Sequence, residues 1–179
     1  MKQRPHENTY WVHPGQLLAG EYPGNKDESV TRECLREYLT AGIRHFIDLT
    51  ETVENGLKPY DPSLKSVAEE MGLDVQHQRL SIRDVSVPSD PEVMRRILDQ
   101  IDDCIERESP VYVHCYGGIG RTGTVVGCHL VRQGRTPAEA LEFIMDQWRT
   151  VEKFHRQPQS PETAEQRRYV ETWLENDAR

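Results

Sequence analysis

The chain has 179 residues, 36% of them hydrophobic and 29% charged, which suits one globular domain with a packed core and leaves little for a second. Its formal net charge of -8 removes any long-range attraction to nucleic acid or an anionic membrane, so a phosphate-bearing ligand must be drawn in locally. No apolar run approaches the ~20 residues of a membrane span, and the first residues carry no signal-peptide core. A cytoplasmic, monomeric protein is therefore expected. The four cysteines, Cys34, Cys104, Cys115 and Cys128, form no CxxC pair, which argues against a disulfide scaffold or a zinc site. Three of them sit in helical apolar patterns and read as small buried hydrophobes. Cys115 lies among glycines and does not fit that description.

Residues 1–16 read as a polar arm, extended over 11–15 and closing in a turn at Pro14-Gly15. Residues 17–19 suit a short edge strand, closed by Gly20 and by Pro23-Gly24. A helix follows, with Asp27 or Ser29 as N-cap, Val30, Cys34, Tyr38 and Leu39 as its apolar face and Gly42 as its stop. Residues 43–49 predict a central strand and 50–61 a polar loop. Pro62 opens a short helix that Gly72 ends. Residues 75–82 alternate as a strand, and 83–88 form a loop beyond it. Residues 89–92 (Ser-Asp-Pro-Glu) supply a capping-box pattern. Behind it, Val93, Met94, Ile97, Leu98, Ile101 and Ile105 make an apolar stripe. Val111–His114 is a strand, 121–133 a helix stopped by Gly134, and Thr136 with Glu139 a second capping box. The helix after it turns Leu141, Ile144, Met145 and Trp148 inward. Residues 151–160 connect to a last helix opening at Ser160-Pro161, with Val170, Trp173 and Leu174 apolar. Strands alternating with helices predict an α/β domain, with a mostly parallel central sheet of about four to five strands flanked by helices on both faces. Ligands of such sheets bind beyond the carboxyl ends of the strands, where His114-Cys115 and Arg83-Asp84 both fall.

The chemistry concentrates in residues 111–124, a strand, a glycine-rich turn and a helix start. A cysteine at a helix N-terminus meets the positive end of the macrodipole and several free N–H groups. Such sites can bring a thiol pKa from ~8.5 down to roughly 3.5–7.5. Between Cys115 and Arg121 stand Tyr116, Gly117, Gly118, Ile119 and Gly120. The glycines let the backbone turn its N–H groups around an anion, and Arg121 offers a planar fork for two phosphate oxygens. Thr122 can donate to the sulfur, and His114 can fix the loop through backbone hydrogen bonds. A P-loop would need GxxxxGK[ST], and no lysine is present. Gly118-x-Gly120-x-x-Gly123 approaches a dinucleotide fingerprint, but that reading leaves Cys115 and Arg121 unexplained.

His114-Cys115-x5-Arg121-Thr122-Gly123 resembles the signature of the cysteine-dependent protein tyrosine phosphatase superfamily. The loop wording is close to the dual-specificity branch, notably its cyclin-dependent-kinase-associated members. Element order extends the resemblance from about Leu17 to Trp173, and the mid-chain position of Cys115 argues against the low-molecular-weight branch. The resemblance implies a cysteine nucleophile at Cys115, phosphate binding by Arg121 and the loop amides of residues 116–120, and no metal or other cofactor. Asp84, 31 positions before the cysteine, lies in a segment like the general-acid loop of these enzymes, and ester cleavage needs such a proton donor. Residues 161–166 resemble their water-positioning segment, usually Gln-Thr-x-x-Gln. Thr163 and Gln166 match, and Glu162 replaces the first glutamine. Glu162 could orient water or merely favour the first turn of a helix. The neutral loop and the net charge favour a phosphoprotein substrate; the resemblance implies phosphotyrosine, with phosphoserine and phosphothreonine open beside it. A phosphoinositide, an RNA 5′-phosphate, a sugar phosphate or a catalytically silent phosphoprotein-binding module remain open at this level.

Overall fold

The computed structural model describes residues 3–174; Met1 and Lys2 of the expected arm lie outside them. The elements are β1 (Thr9–His13), β2 (Leu17–Gly20), α1 (Glu28–Thr40), β3 (His45–Asp48), α2 (Asp61–Met71), β4 (Gln76–Arg79), α3 (Pro91–Glu106), β5 (Val111–His114), α4 (Gly120–Arg132), α5 (Pro137–Trp148) and α6 (Ala164–Glu171), with single 3-10 turns at Glu54–Gly56 and Glu152–His155. The strands form one sheet in the order β1-β2-β5-β3-β4. Among the described residues only the β1–β2 pairing is antiparallel. The α/β architecture expected from the sequence is present.

Strand alternation divides the core. Val111 and Val113 of β5 face one side, with Met94, Ile97, Leu98, Val125, Ile144 and Trp148 of the later helices. Tyr112 faces the other, with Phe46, Leu35, Tyr38, Leu39 and Leu64, so α1 and α2 cover that face. β5 is buried on both faces, as a central parallel strand must be. It delivers Cys115 to the carboxyl edge of the sheet.

Four expectations are corrected. The extended arm is a strand, β1, and it rather than β2 is the sheet edge. Tyr10, Trp11 and Val12 are all buried, so no polar–apolar alternation marked it. The buried face of α1 is Thr31, Leu35, Tyr38 and Leu39, and Val30 points to solvent. Thr31 can be buried because its hydroxyl accepts the Asn25 N–H at 2.8 Å. Asp90, not Ser89, caps α3, accepting from Glu92 N. The last helix begins at Ala164, three residues beyond Pro161, with Thr163 as its cap. The capping box of Thr136 and Glu139 is as expected.

Behind the sheet edge sits Asp48, whose side chain is fully buried and takes Arg79 Nη2 at 2.9 Å. Thr50 donates to it from both N–H (2.9 Å) and hydroxyl (2.6 Å). Burial works against its charge, but hydrogen bonds from His77 and Thr50 outweigh that and hold the carboxyl below its ordinary range. A carboxylate shifted this way contributes stability above its unfolded value, ~3.9, and loses it as pH falls towards the folded value. Asp48→Asn should therefore cost about 3 kcal/mol near pH 7, the penalty for breaking a buried pair. Melting curves between pH 7 and 3 should show the variant losing less stability than wild type on the acid side.

Candidate active site

The cleft at the carboxyl edge of β5 has a volume of about 370 Å³, and Asp84, Cys115, Arg121, Glu162 and Gln166 all line it. The residues named from sequence thus meet at one place, although 82 positions separate the first from the last. Cys115 is the first residue past β5, and the chain then turns through 116–119 into α4. The turn is built by close approach. Gly118 has φ 74°, and a Cβ there would lie 2.5 Å from the Gly20 carbonyl carbon. A Cβ on Gly120 would meet the Gln166 amide at 2.6 Å. Tyr116 is half exposed at the rim, while Ile119 is buried.

His114 is fully buried. Burial is the largest influence on it and lowers its pKa to about 4. The neutral ring fits its partners, with the Tyr60 hydroxyl 2.7 Å from Nε2 and the Cys115 carbonyl 3.3 Å from Nδ1. Nδ1 then donates to the loop backbone and Nε2 accepts from Tyr60. The Thr122 hydroxyl, expected to donate to the sulfur, instead faces the Gly20 carbonyl at 3.5 Å.

Arg121 is 2% exposed and its guanidinium is heavily engaged. Nη1 donates to Glu54 Oε2 at 2.7 Å and Nη2 to Glu54 Oε1 at 2.6 Å, a parallel two-bond pair. Nη1 also meets the carbonyls of Ile82 at 3.1 Å and Leu49 at 3.3 Å. Nη2 lies 2.7 Å from Asp84 Oδ1. Burial alone would lower the arginine's pKa, but the hydrogen bonds it donates to Glu54 and the nearby negative charges outweigh that and raise it. Glu54 was not among the residues named from sequence. It sits in a 3-10 turn entered through left-handed backbone at Val53 (φ 56°) and Asn55 (φ 48°). Nothing in the polar run 50–61 distinguishes it from Glu51.

Asp84 is reached from a loop whose next residue, Val85, is also left-handed at φ 56°; Arg83, its neighbour, is exposed and does not line the cleft. Thr163 and Gln166 form the capping box of α6, each side chain bonded to the other's backbone N–H. The Gln166 amide also donates to Ser86 O at 3.1 Å, tying α6 to the Asp84 loop. Glu162 precedes the cap and stands exposed at the cleft, so it is not a first-turn helix residue. Lys153 and Arg156, from the connector before α6, complete the rim. A cleft lined by a cysteine, a buried arginine and the glycine-rich turn between them can hold a tetrahedral oxyanion against a sulfur.

A mostly parallel sheet presenting Cys-x5-Arg at the start of a helix defines the class of cysteine-dependent phosphatases. Residues 6–170 match the family described as PTP-SAK, Swiss Army Knife protein, DSP-PTPase phosphatase domain. The chain belongs to this family, as the resemblance of its loop implied. Among curated proteins it is 36% identical over 138 residues to the dual specificity protein phosphatase CDC14AB of Danio rerio, a match covering 75% of this chain and 21% of that one. It is 31% identical, with the same coverage, to CDC14A of Homo sapiens. The matched region is thus about a fifth of those relatives. Solved structures with the same fold include kinase associated phosphatase (TM-score 0.67, 23% identity, 86% of this chain and 83% of that one). PTPMT1 in complex with PI(5)P is another (TM-score 0.67, 20% identity, 92% of each chain).

The Glu54–Arg121 pair generates a specific expectation. Glu54→Gln removes one partner of a buried ion pair, a change that costs about 3–5 kcal/mol. An oxyanion in the cleft would restore the lost negative charge beside Arg121. Tungstate should therefore raise the melting temperature of Glu54→Gln by more than it raises that of wild type in thermal shift measurements.

Proposed function

We propose that the chain is a single phosphatase domain that hydrolyses phosphate monoesters of proteins, phosphotyrosine first, through a cysteinyl-phosphate on Cys115. The observation that carries this reading is the convergence of Cys115, Arg121 and Asp84 on one cleft. The substrate phosphate enters as a dianion and takes the place of the Asp84 carboxylate on Arg121 Nη2, while Glu54 keeps the guanidinium in plane. The Cys115 thiolate attacks phosphorus in line, an S–P bond forms and the ester P–O bond breaks. Asp84, protonated and released from Arg121, gives its proton to the departing oxygen. Arg121 and the amides of 116–120 hold the equatorial oxygens. Water then attacks phosphorus, Asp84 takes its proton, and the S–P bond breaks to return the thiolate and inorganic phosphate. Gln166, fixed between Gly120 and Ser86, and Glu162 at the rim are placed to orient that water. Four free cysteines and a reaction that needs a thiolate support a reducing, cytoplasmic setting.

A second reading rests on the rim. Lys153 and Arg156 line the cleft, and cations there were not foreseen from the neutral loop. Lys153 is paired with Glu21, whereas Arg156 has no ion-pair partner among the described residues. This favours substrates carrying a second anionic group near the scissile phosphate, which includes phosphoinositides as well as acidic phosphopeptides. Comparing initial rates on acidic phosphopeptides and phosphoinositides separates the two readings. Faster turnover of the lipids, lost in Arg156→Ala, would displace the protein reading.

With an aryl phosphate and excess chelator, wild type should turn over and Cys115→Ser should fall to background while still binding tungstate. Retained turnover in Cys115→Ser would remove the assignment. Asp84→Asn should lose roughly 10²–10⁴-fold on esters with a poor leaving group, the contribution of a positioned general acid, and much less on activated ones. Equal losses on both would make Asp84 structural.

A further inference from the structure

Ser160, expected with Pro161 to open the last helix, lies outside α6, which Thr163 caps. Its side chain is turned to the glycine-rich loop instead. Ser160 is 1% exposed, and its hydroxyl donates to the Ile119 carbonyl at 2.8 Å. Gly123 makes that approach possible. A Cβ on Gly123 would lie 2.5 Å from Ser160 Oγ, closer than real Cβ atoms come. Gly123 stands inside α4 without a positive φ, where glycine costs about 0.5–1 kcal/mol relative to alanine. The space that Ser160 Oγ occupies accounts for it.

The Ile119 carbonyl also takes the Gly123 N–H at 3.2 Å. Two other loop carbonyls are held by groups outside the loop: Tyr116 O by the Tyr22 N–H at 3.1 Å, and Cys115 O by His114 Nδ1 at 3.3 Å. In a trans peptide the N–H points opposite to the C=O. Holding the Ile119 oxygen towards Ser160 therefore turns the Gly120 N–H the other way, and Gly120 lines the cleft whereas Ser160 does not. The segment after Ser160 is anchored too. Arg167 Nη1 donates to the carbonyls of Pro161 at 3.1 Å and Glu162 at 3.2 Å. Ser160 thus joins the loop before α4 to the segment that carries Glu162 and Gln166.

We propose that Ser160 is a positioning residue for phosphate binding. Its buried hydroxyl sets the Ile119–Gly120 peptide so that the loop meets an oxyanion with a donor. The same bond ties the segment 160–166 to that loop, which fixes Glu162 and Gln166 relative to the phosphate. This inference rests on the cleft binding phosphate, as the phosphatase reading requires.

The test is the tungstate affinity of the full chain, measured by isothermal titration calorimetry well below the melting temperature. Wild type is compared with Ser160→Ala, Gly123→Ala and the double variant. Ser160→Ala removes the donor, and Gly123→Ala pushes it off the Ile119 carbonyl. Each should weaken tungstate binding roughly fivefold, the net worth of one hydrogen bond. The double variant should bind no more weakly than either single one, because the hydroxyl that Gly123→Ala displaces is already gone. Unchanged affinity in Ser160→Ala, even with a lower melting temperature, would overturn the proposal, and so would losses that add in the double variant. If Gly123→Ala does not fold, the affinity of Ser160→Ala decides alone. If Ser160→Ala does not fold, Ser160→Cys, close in size and a weak donor, is held to the same criterion. Wild type that binds tungstate without turning over aryl phosphate would count against the phosphatase reading and leave the titrations to judge Ser160. Wild type that binds no tungstate would overturn both.

Discussion

A guanidinium with 2% of its surface exposed must have its charge and its donors answered, and the answers organise this molecule's catalytic edge. Arg121 draws Glu54 from the segment after β3, Asp84 and the Ile82 carbonyl from the segment after β4, and the Leu49 carbonyl from the end of β3. Two stretches of chain remote in sequence, residues 49–54 and 82–84, are thereby fixed around the start of α4. In a buried setting each missing partner would leave charge or donors uncompensated. The arginine therefore assembles the cleft as well as offering a phosphate a partner.

The floor beneath it is rigid for separate reasons. β5 is central and fully buried, so Cys115 leaves the sheet at a fixed height. His114, kept neutral by burial, joins the Cys115 carbonyl to Tyr60 at the start of α2. Gly118 and Gly120 allow the loop to pack against Gly20 and Gln166 at distances no side chain could share. Of Arg121's two carboxylate partners, Asp84 has the more exposed side chain. That asymmetry suits the proposed roles, in which the buried Glu54 holds the guanidinium and the more exposed Asp84 gives way to a substrate phosphate.

How much of this was legible follows from where each signal sits. Cys115, the glycines and Arg121 are neighbours along the chain, so their spacing alone expresses the cradle. Asp84 was singled out because a proton donor was required and because its loop resembles the general-acid loop of dual-specificity phosphatases; the structure sets it 2.7 Å from Arg121 Nη2. Glu54 was not, because its place depends on left-handed backbone at Val53 and Asn55, which β-branched valine does not advertise. The strand β1 was missed because Tyr10, Trp11 and Val12 are all buried, which leaves no alternation. Thr163 and Gln166 were read through a motif, and the structure adds that they form a helix cap as well. Lys153 and Arg156 lie in a connector whose path over the cleft is a tertiary fact.

The central claim is that phosphorus passes through a covalent bond to the Cys115 sulfur. Acid quenching of a single turnover, followed by mass spectrometry of the peptide that carries Cys115, tests it directly. The account predicts phosphate on that cysteine at short times, accumulating further when Asp84 is replaced by alanine on an activated substrate and absent from Cys115→Ser. Complete hydrolysis with no phosphate on the peptide at any time would contradict it.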